Sequence, residues 1–465
     1  MPLPTATPSA HGVDASGITA FVEAVDAATF AEPHSLAIAR HGHTIAEGWW
    51  SPYRADRVHL LYSLSKSLTA TTVATLVADG TIGLDDPVLR HLPTSGIDID
   101  PRWEAVLVKH CLSMTVGHTT DAWGAVMMSF AAGEPAGFLE LTLRNGPDAE
   151  PGTVFCYNQV ATYVLSRIVA NVTGRNLGEV ARERILDPLG AGELLWHRDP
   201  EGFELGFTGA HLRTTDLLSL VQLWLDRGTT PDGVELVPAA WYDSATVPFV
   251  AVPPGDPPDW SCGYGYSYWI ARHGYRGDGA FGQYGIVLPE HGVAVAMTGA
   301  TVEMQAVLDL AWQHLLPTLD RPGSAAADDE LAARLAGLEI PALGGRPAAG
   351  TFNLSGDLPA DWSAISIAAG QSRHDLTFTV DGAEAMIPVG NAAWADGDLV
   401  VGGRRLPTAA SGGWRDTRFV ADVRCAETPH TLRLEADAAT GEAEARWVLP
   451  PLTGPDPRVL AVRPA

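Results

Sequence analysis

Lysine is almost absent from this chain: of its 30 lysine and arginine residues, two are lysines, Lys66 and Lys109. A position that needed only positive charge could use arginine, which is far more frequent here. Arginine cannot release its proton near neutral pH, whereas a lysine can. Lys66 therefore raises the hypothesis of an amine that acts as a base, while Lys109, in a plain V-K-H context, is interpreted as a surface charge.

Cysteine and long apolar runs are also scarce. The four cysteines are scattered and form no C-x-x-C pair, which predicts reduced thiols and neither a disulfide framework nor a zinc site. No run of eighteen apolar residues occurs, and the N-terminal segment has neither the basic nor the apolar region of a secretory signal. We therefore expect a cytoplasmic protein without a membrane span.

Positive charge is in short supply as well, and the net charge is −25. The acidic residues are spread along the chain and form no acidic tail. Nucleic acid and anionic membrane surfaces would be repelled by such a protein, so neither is expected as a partner. The simplest interpretation of the charge is that it keeps the protein soluble.

The order of predicted elements indicates the fold class. Helical patterns occur at 15–30, 64–79 and 302–316, a hairpin at 34–50, and further strands at 264–272, 284–289 and 293–299. This order predicts an α/β (α+β) domain over 1–319, with one antiparallel sheet built from both ends and a helical subdomain inserted at about 90–245. We expect a linker at 320–345 and a small all-β barrel or sandwich at 346–465.

Ser63-Leu64-Ser65-Lys66 is an S-x-x-K element at the start of the second predicted helix. Residues three apart share one face of a helix, so the Lys66 amine can reach the Ser63 hydroxyl. The helix N-terminus also supplies a positive dipole end and a free backbone N–H that can bind an oxyanion. Desolvation there would lower the pKa of Lys66 until it acts as a base.

The segment YSLSKSLTATTVATLVADGTIGLDDPV resembles the nucleophile helix of the serine β-lactamase and penicillin-binding-protein superfamily. Its D-G-x-x-x-L-D-D-P-V ending is typical of the class C β-lactamase, D,D-peptidase and esterase branch. The resemblance covers about 15–317 and continues through CLSMTVGHTTD, PGTVFCYNQVATYVLSRIV, RILDPLGAG, GAHLRTTDLLSL and GDGAFGQYGIVLPE. It implies a β-lactamase/transpeptidase-like fold and a serine hydrolase that needs no metal or cofactor.

The second motif of that branch, Tyr-x-Asn, corresponds to Tyr157-Asn158-Gln159. The resemblance implies that Tyr157 moves a proton between Ser63 and the leaving group. A phenol does this near neutral pH only if a neighbouring cation such as Lys66 lowers its pKa. Gln159 stands where the family usually has Asn, and it would help to position the substrate.

The third motif, Lys-Thr-Gly or His-x-Gly, corresponds to Asp278-Gly279-Ala280. Phe281 would then supply the second backbone N–H of the oxyanion hole, beside that of Ser63. An aspartate here would repel the carboxylate of a β-lactam or of a peptide that ends in D-Ala, which favours an ester or amide without that group. In the alternative interpretation, Asp278 is only a turn residue.

His118 and Asp121 belong to a loop that borders the active-site mouth in class C relatives, and they are candidate substrate contacts. The alternative is a solvated loop without a binding role. The turn His41-Gly42-His43 resembles a metal-binding pair, but no third ligand is placed beside it by spacing, so no metal site is predicted.

The main hypothesis is therefore a serine hydrolase or acyltransferase that acts on a small-molecule ester, amide or peptide substrate through a Ser63 acyl-enzyme. The alternative within the enzyme class is a β-lactamase, D,D-peptidase or D-aminopeptidase. A non-catalytic binding module is a further alternative, against which the combination of Ser63, Lys66 and Tyr157 argues.

Overall fold

A six-stranded antiparallel sheet forms the centre of the N-terminal part in a computed structural model, which describes residues 2–370 and 372–465. In spatial order its strands are His43–Trp49, Ala31–Arg40, Val293–Thr301, Gln283–Leu288, Gly274–Gly279 and Trp269–Ala271. The sheet thus combines a hairpin from one end of the domain with strands from the other, which confirms the predicted fold class. Gly274–Gly279 is a strand that the sequence pattern missed.

Both faces of this sheet are covered, which explains why its central strands are apolar at almost every position. In Val293–Thr301, Val293, Val295 and Met297 face one apolar cluster, and Ala294 and Ala296 face another. The covering helices and the helices of the inserted region are Ala15–Asp26, Ser65–Ala78, Val108–Leu112, Trp123–Ala131, Phe138–Leu143, Gln159–Thr173, Leu177–Ala181, Thr214–Leu225, Ala239–Ala245, Met304–Leu310 and Ala325–Ala336. None of the helices in the described part of the chain is long and apolar enough to cross a membrane.

The segment 320–345, which was predicted as a linker, is partly helical. It contains the helix Ala325–Ala336, whose first turn is capped by Ser324. Leu331 of this helix is buried in the same apolar cluster as Phe21 and Val22 of the first helix. Its alanine-rich sequence favours a helix, but only a narrow side is buried, so the composition resembles that of a solvated connection.

The C-terminal region is a closed β-barrel, which decides between the barrel and the sandwich that the sequence left open. Its strands in spatial order are Ala383–Gly390, Arg373–Val380, Trp362–Ala369, Gly350–Gly356, Glu442–Trp447, Thr431–Asp437, Arg418–Cys425, Arg404–Arg415 and Ala395–Val401, with Arg463–Pro464 beside Arg404–Arg415. Pairing of Gly390 with Ser411 closes the barrel. Buried residues such as Leu376 and Phe378 fill its interior, and they alternate along the strand with half-buried residues.

The barrel packs directly on the residues that precede the helix Ser65–Ala78. The Tyr62 hydroxyl is hydrogen-bonded to Nε2 of His430, and the Leu60 N–H donates to the Glu427 carbonyl at 2.8 Å. Tyr62 has a φ of 47°, a left-handed conformation that costs a non-glycine residue free energy and needs support from its surroundings. The barrel provides part of that support.

An ion pair between Glu32 and Arg424 also joins the barrel to the sheet. Arg424 Nη2 donates to Glu32 Oε2 at 2.8 Å, and the Arg424 side chain is almost fully buried. The guanidinium also lies 4.9 Å from the centre of the Trp394 ring. Glu32 keeps partial contact with water, which reduces the cost of losing its partner.

Replacing Arg424 with methionine should destabilise the folded chain by about 2 kcal/mol, because Glu32 would keep its charge in a partly buried place without a cation. Thermal unfolding should show this as a midpoint lower by a few degrees. Arg373→Met is the matched control, since Arg373 is exposed and its partner Asp375 is half-buried, and ion pairs near the surface contribute little. Equal midpoints for the two variants would contradict the importance of the Glu32–Arg424 contact.

Candidate active site

Ser63 and Lys66 lie at the start of the helix Ser65–Ala78 with their side chains in contact. Lys66 Nζ is 3.0 Å from Ser63 Oγ and donates to the Phe207 carbonyl at 3.0 Å. Ser63 occupies the short 3₁₀ turn Tyr62–Leu64 that leads into the helix. The contact predicted from the three-residue spacing is therefore present in the structure.

Burial controls the protonation of the Lys66 amine. Its side chain is almost completely enclosed, and this desolvation lowers the pKa of Lys66 to about 7, against the opposing effects of Asp121 and Asp278. A large fraction of the amine is then uncharged near neutral pH and can accept a proton from the Ser63 hydroxyl. This geometry and pKa fit the role that the scarcity of lysine suggested.

Hydroxyl side chains make it possible to bury this helix. The Ser65 hydroxyl donates to the Tyr62 carbonyl at 2.6 Å and accepts from the Ala210 N–H at 3.0 Å. The Thr69 hydroxyl donates to the Gly206 carbonyl at 2.8 Å. These two buried hydroxyls are therefore paired, which avoids the cost of an unsatisfied donor and fixes the start of the helix against the segment around Phe207.

Two glycines allow the strand Gly274–Gly279 to approach the nucleophile segment. A Cβ at Gly279 would lie 2.0 Å from the Leu61 carbonyl oxygen, and one at Gly277 would lie 2.5 Å from the Ser67 hydroxyl oxygen. Neither distance is compatible with a side chain. The G-x-G spacing thus serves close backbone packing, and it brings the hairpin turn after Gly279 to the edge of the site.

Tyr157 lies beside Lys66, with its ring centre 4.6 Å from the amine nitrogen. It directly precedes the helix Gln159–Thr173, whose first turn is capped by the Asn158 side chain. Burial raises the pKa of Tyr157 and nearby Asp278 raises it further, while a hydrogen bond with Ser63 opposes them. The pKa of Tyr157 is thus raised and not lowered as expected, so its phenol is neutral near pH 7. Its role in proton transfer stays a prediction.

Asp278 is buried in a strand, which excludes the alternative that it is only a turn residue. Its carboxylate accepts from Arg276 Nε at 2.9 Å, and Arg276 Nη1 donates to the Asp259 carbonyl at 2.7 Å. Burial raises the pKa of Asp278, and Arg276 opposes this rise. Sequence reasoning missed Arg276, although residues two apart on a strand share a face.

The ion pair between Arg276 and Asp278 weakens the effect of Asp278 on a charged substrate. Because the positive charge of Arg276 compensates the negative charge of Asp278 at close range, Asp278 repels a substrate carboxylate less than the sequence suggested. Arg276 itself is fully buried, and its guanidinium lies 4.3 Å from the centre of the Trp260 ring. It therefore offers no accessible cation to a substrate either.

His118 is buried and already hydrogen-bonded within the protein, which corrects its prediction as a substrate contact. Its ring is buried, Nε2 donates to the Asn145 carbonyl at 2.9 Å, and Nδ1 accepts from the Asn158 amide at 2.8 Å. With both ring nitrogens occupied, His118 acts as a support that fixes Asn158 next to Tyr157.

Asp121 and Gln159 lie together at the start of the helix Gln159–Thr173. Asp121 Oδ1 accepts from the backbone N–H of Gln159 at 3.0 Å and from that of Trp123 at 3.1 Å. The Gln159 amide oxygen is buried and has no hydrogen-bond partner among the described residues. One oxygen of Asp121 therefore holds the start of this helix, although the residue is exposed. Contact of Gln159 or Asp121 with a substrate stays a prediction.

The turn after Gly279 offers the second part of an oxyanion hole. The Phe281 carbonyl accepts from the Gln283 side chain at 3.1 Å and from the Thr301 N–H at 3.2 Å, and the Phe281 ring packs on Tyr62. Within 2–370 and 372–465, neither the Ala280 N–H nor the Phe281 N–H has a protein acceptor. Phe281 remains a candidate donor, and Ala280 joins it.

The mixed sheet-and-helix fold and the Ser63–Lys66 pair define a serine hydrolase of the β-lactamase and penicillin-binding-protein type. The model of the Beta-lactamase family matches residues 22–316. This is more than half of the chain, and the protein belongs to that family. The resemblance found in the sequence motifs is thereby confirmed.

Individual relatives are similar to this chain at modest identity. Penicillin-binding protein 4 of Amycolatopsis lactamdurans is 28% identical over 356 residues, which cover 65% of this chain and 86% of the relative. The 6-aminohexanoate-dimer hydrolase of Paenarthrobacter ureafaciens is 27% identical and matches 44% of this chain and 55% of its own length. The octameric penicillin-binding protein homologue from Pyrococcus abyssi has a TM-score of 0.50 at 16% identity, covering 87% of this chain and 96% of its own; this likeness shows the fold alone.

Replacing Lys66 with arginine should slow the reaction of Ser63 with a fluorophosphonate probe by at least about a hundredfold, since a guanidinium cannot take the serine proton. Intact-mass measurement over time gives the labelling rate. Lys109→Arg is the matched control, because Lys109 pairs with Asp85 at the surface. Equal labelling of the Lys66→Arg variant and the wild type would refute the base role.

Proposed function

We propose that this protein cleaves esters or amides through an acyl-enzyme on Ser63 and transfers the acyl group to water or to another acceptor. The observation that carries the proposal is the 3.0 Å contact between the Ser63 hydroxyl and the enclosed Lys66 amine. A serine hydroxyl becomes an effective nucleophile when a base is in hydrogen-bond contact with it. Ser63 is half-buried, so a substrate can reach it.

In the proposed reaction, uncharged Lys66 removes the proton from Ser63 as its oxygen attacks the substrate carbonyl carbon. The carbonyl π electrons move to the oxygen, and the resulting oxyanion is bound by the backbone N–H of Ser63 and by one from the turn at Ala280 or Phe281. Tyr157 donates its proton to the leaving group as the carbonyl re-forms, and Lys66 returns a proton to Tyr157. Water or an alcohol or amine then attacks the acyl-enzyme by the reverse route.

Ester or amide substrates without a carboxylate beside the reacting bond are favoured because the third-motif position offers no accessible cation to bind one. The position of the third motif carries Asp278, and the neighbouring cation Arg276 is fully buried and paired with it. Names of relatives support the same choice, since they include a 6-aminohexanoate-dimer hydrolase and an esterase, EstB of Burkholderia gladioli. A β-lactamase or D,D-peptidase is the second candidate, favoured by the match to penicillin-binding protein 4.

A covalent probe should test the nucleophile. A fluorophosphonate should add one mass increment to the wild type, none to Ser63→Ala, and one to the control Ser95→Ala, whose serine is exposed. An ester, amide and β-lactam panel followed by intact mass would then identify the acyl group that accumulates. Rapid nitrocefin turnover without cleavage of p-nitrophenyl acetate would select the β-lactamase alternative, and absence of labelling would select the binding module.

The rate should depend on pH through Lys66. Because burial lowers the pKa of Lys66 to about 7, kcat/KM for a neutral ester should rise about tenfold per pH unit below this value and level off above it. p-Nitrophenyl acetate between pH 5 and 8.5, corrected for spontaneous hydrolysis, provides the measurement. A profile that is flat over this range would show that Lys66 is not the base.

A further inference from the structure

A cavity of about 430 Å³ opens beside Tyr157, and the mechanism above makes no use of it. Its walls include the aromatic side chains Phe155, Tyr157, Trp260 and Trp269 and the carboxylates Asp256 and Glu303. Tyr157 belongs both to this wall and to the catalytic group around Lys66. A molecule whose carbonyl lies at Ser63 could therefore extend into this cavity, whose volume suits a small organic group.

The charge of this cavity has one sign. None of the residues that line it is a lysine, arginine or histidine. Asp256 and Glu303 are exposed, and within the described part of the chain neither carboxylate has a hydrogen-bond or ion-pair partner. Both are therefore free to interact with a ligand, in contrast to the nearby Asp259, which is bound by Arg272 at 2.6 Å.

The rings of the aromatic wall pack against one another, and aromatic faces are electron-rich. Trp269 stacks on Tyr157 with ring centres 5.4 Å apart and a 21° angle between planes, and Phe155 meets Trp269 at 5.8 Å. Trp260 already packs on the Arg276 guanidinium at 4.3 Å, which fixes its ring. Organic cations are attracted to aromatic faces, most strongly where carboxylates lie nearby and water is partly excluded.

We propose that this cavity is a subsite for an organic ammonium group carried by the substrate. The inference rests on the proposed function, since it names the class of ester or amide that Ser63 receives. The aromatic rings would contact the apolar surface of the ammonium group, and Asp256 and Glu303 would balance its charge. The net charge of −25 would add a long-range attraction for such a substrate.

Binding can be tested without catalysis in the Ser63→Ala variant. Choline and 3,3-dimethylbutan-1-ol have nearly the same shape and differ in charge, so calorimetric titration of both isolates the effect of the cation. We expect choline to bind at least about tenfold more tightly than the neutral alcohol. Equal affinity of the two, or binding of neither, would overturn the subsite.

A double variant, Asp256→Asn with Glu303→Gln, should remove most of this preference. The matched control is Glu290→Gln with Asp329→Asn, which removes the same charge from two exposed sites away from the cavity. The control should keep the preference for choline if the local carboxylates create it. Equal losses in the two double variants would assign the effect to the overall charge and overturn the subsite.

Kinetics then connect the subsite to the reaction. Acetylcholine should have a kcat/KM at least about tenfold above that of 3,3-dimethylbutyl acetate in the wild type, and the ratio should approach one in the cavity variant. If choline binds as predicted but no ester, amide or β-lactam acylates Ser63, the proposed function fails while the subsite remains. If both acetates are cleaved equally, the subsite fails while the proposed function remains.

Discussion

The site depends on the Lys66 amine, which is buried next to the Ser63 hydroxyl and contacts no carboxylate of the described residues. Among the described residues, Lys66 Nζ is bonded to the Ser63 hydroxyl and the Phe207 carbonyl, and it forms no ion pair. The two acidic residues that affect its pKa, Asp121 and Asp278, are held by other groups: backbone N–H donors and Arg276, respectively. If either carboxylate were in direct contact with the amine, Lys66 would stay charged and could not serve as a base.

The nucleophile segment is held in place from two sides. On one side, Gly277 and Gly279 let a sheet strand approach more closely than any other residue would allow. On the other side, the C-terminal barrel contacts Tyr62, which has a left-handed backbone conformation immediately before Ser63. The barrel is therefore connected to the geometry of the serine, and it does more than cover the surface of the N-terminal part.

The parts of the protein that the sequence predicted well depend on local spacing. The S-x-x-K contact follows from the helical repeat, and the sheet and the barrel follow from runs of alternating or apolar residues. The prediction for His118 was wrong because its partners Asn145 and Asn158 are 27 and 40 residues away along the chain. Similarly, the burial that raises the pKa of Tyr157 depends on tertiary packing, and the buried side of Ala325–Ala336 depends on contacts with the first helix.

The charges around Ser63 differ in how far they are compensated, and this difference connects catalysis with substrate choice. Arg276 and Asp278 compensate each other in the interior, and the lowered pKa of Lys66 removes much of its charge near neutral pH. Asp256 and Glu303, whose carboxylates have no hydrogen-bond or ion-pair partner within residues 2–370 and 372–465, are exposed at the cavity beside Tyr157. A buried amine of lowered pKa therefore lies near exposed carboxylates, and this distribution of charge would match the proposed substrate, which carries a cation and no carboxylate beside the reacting bond.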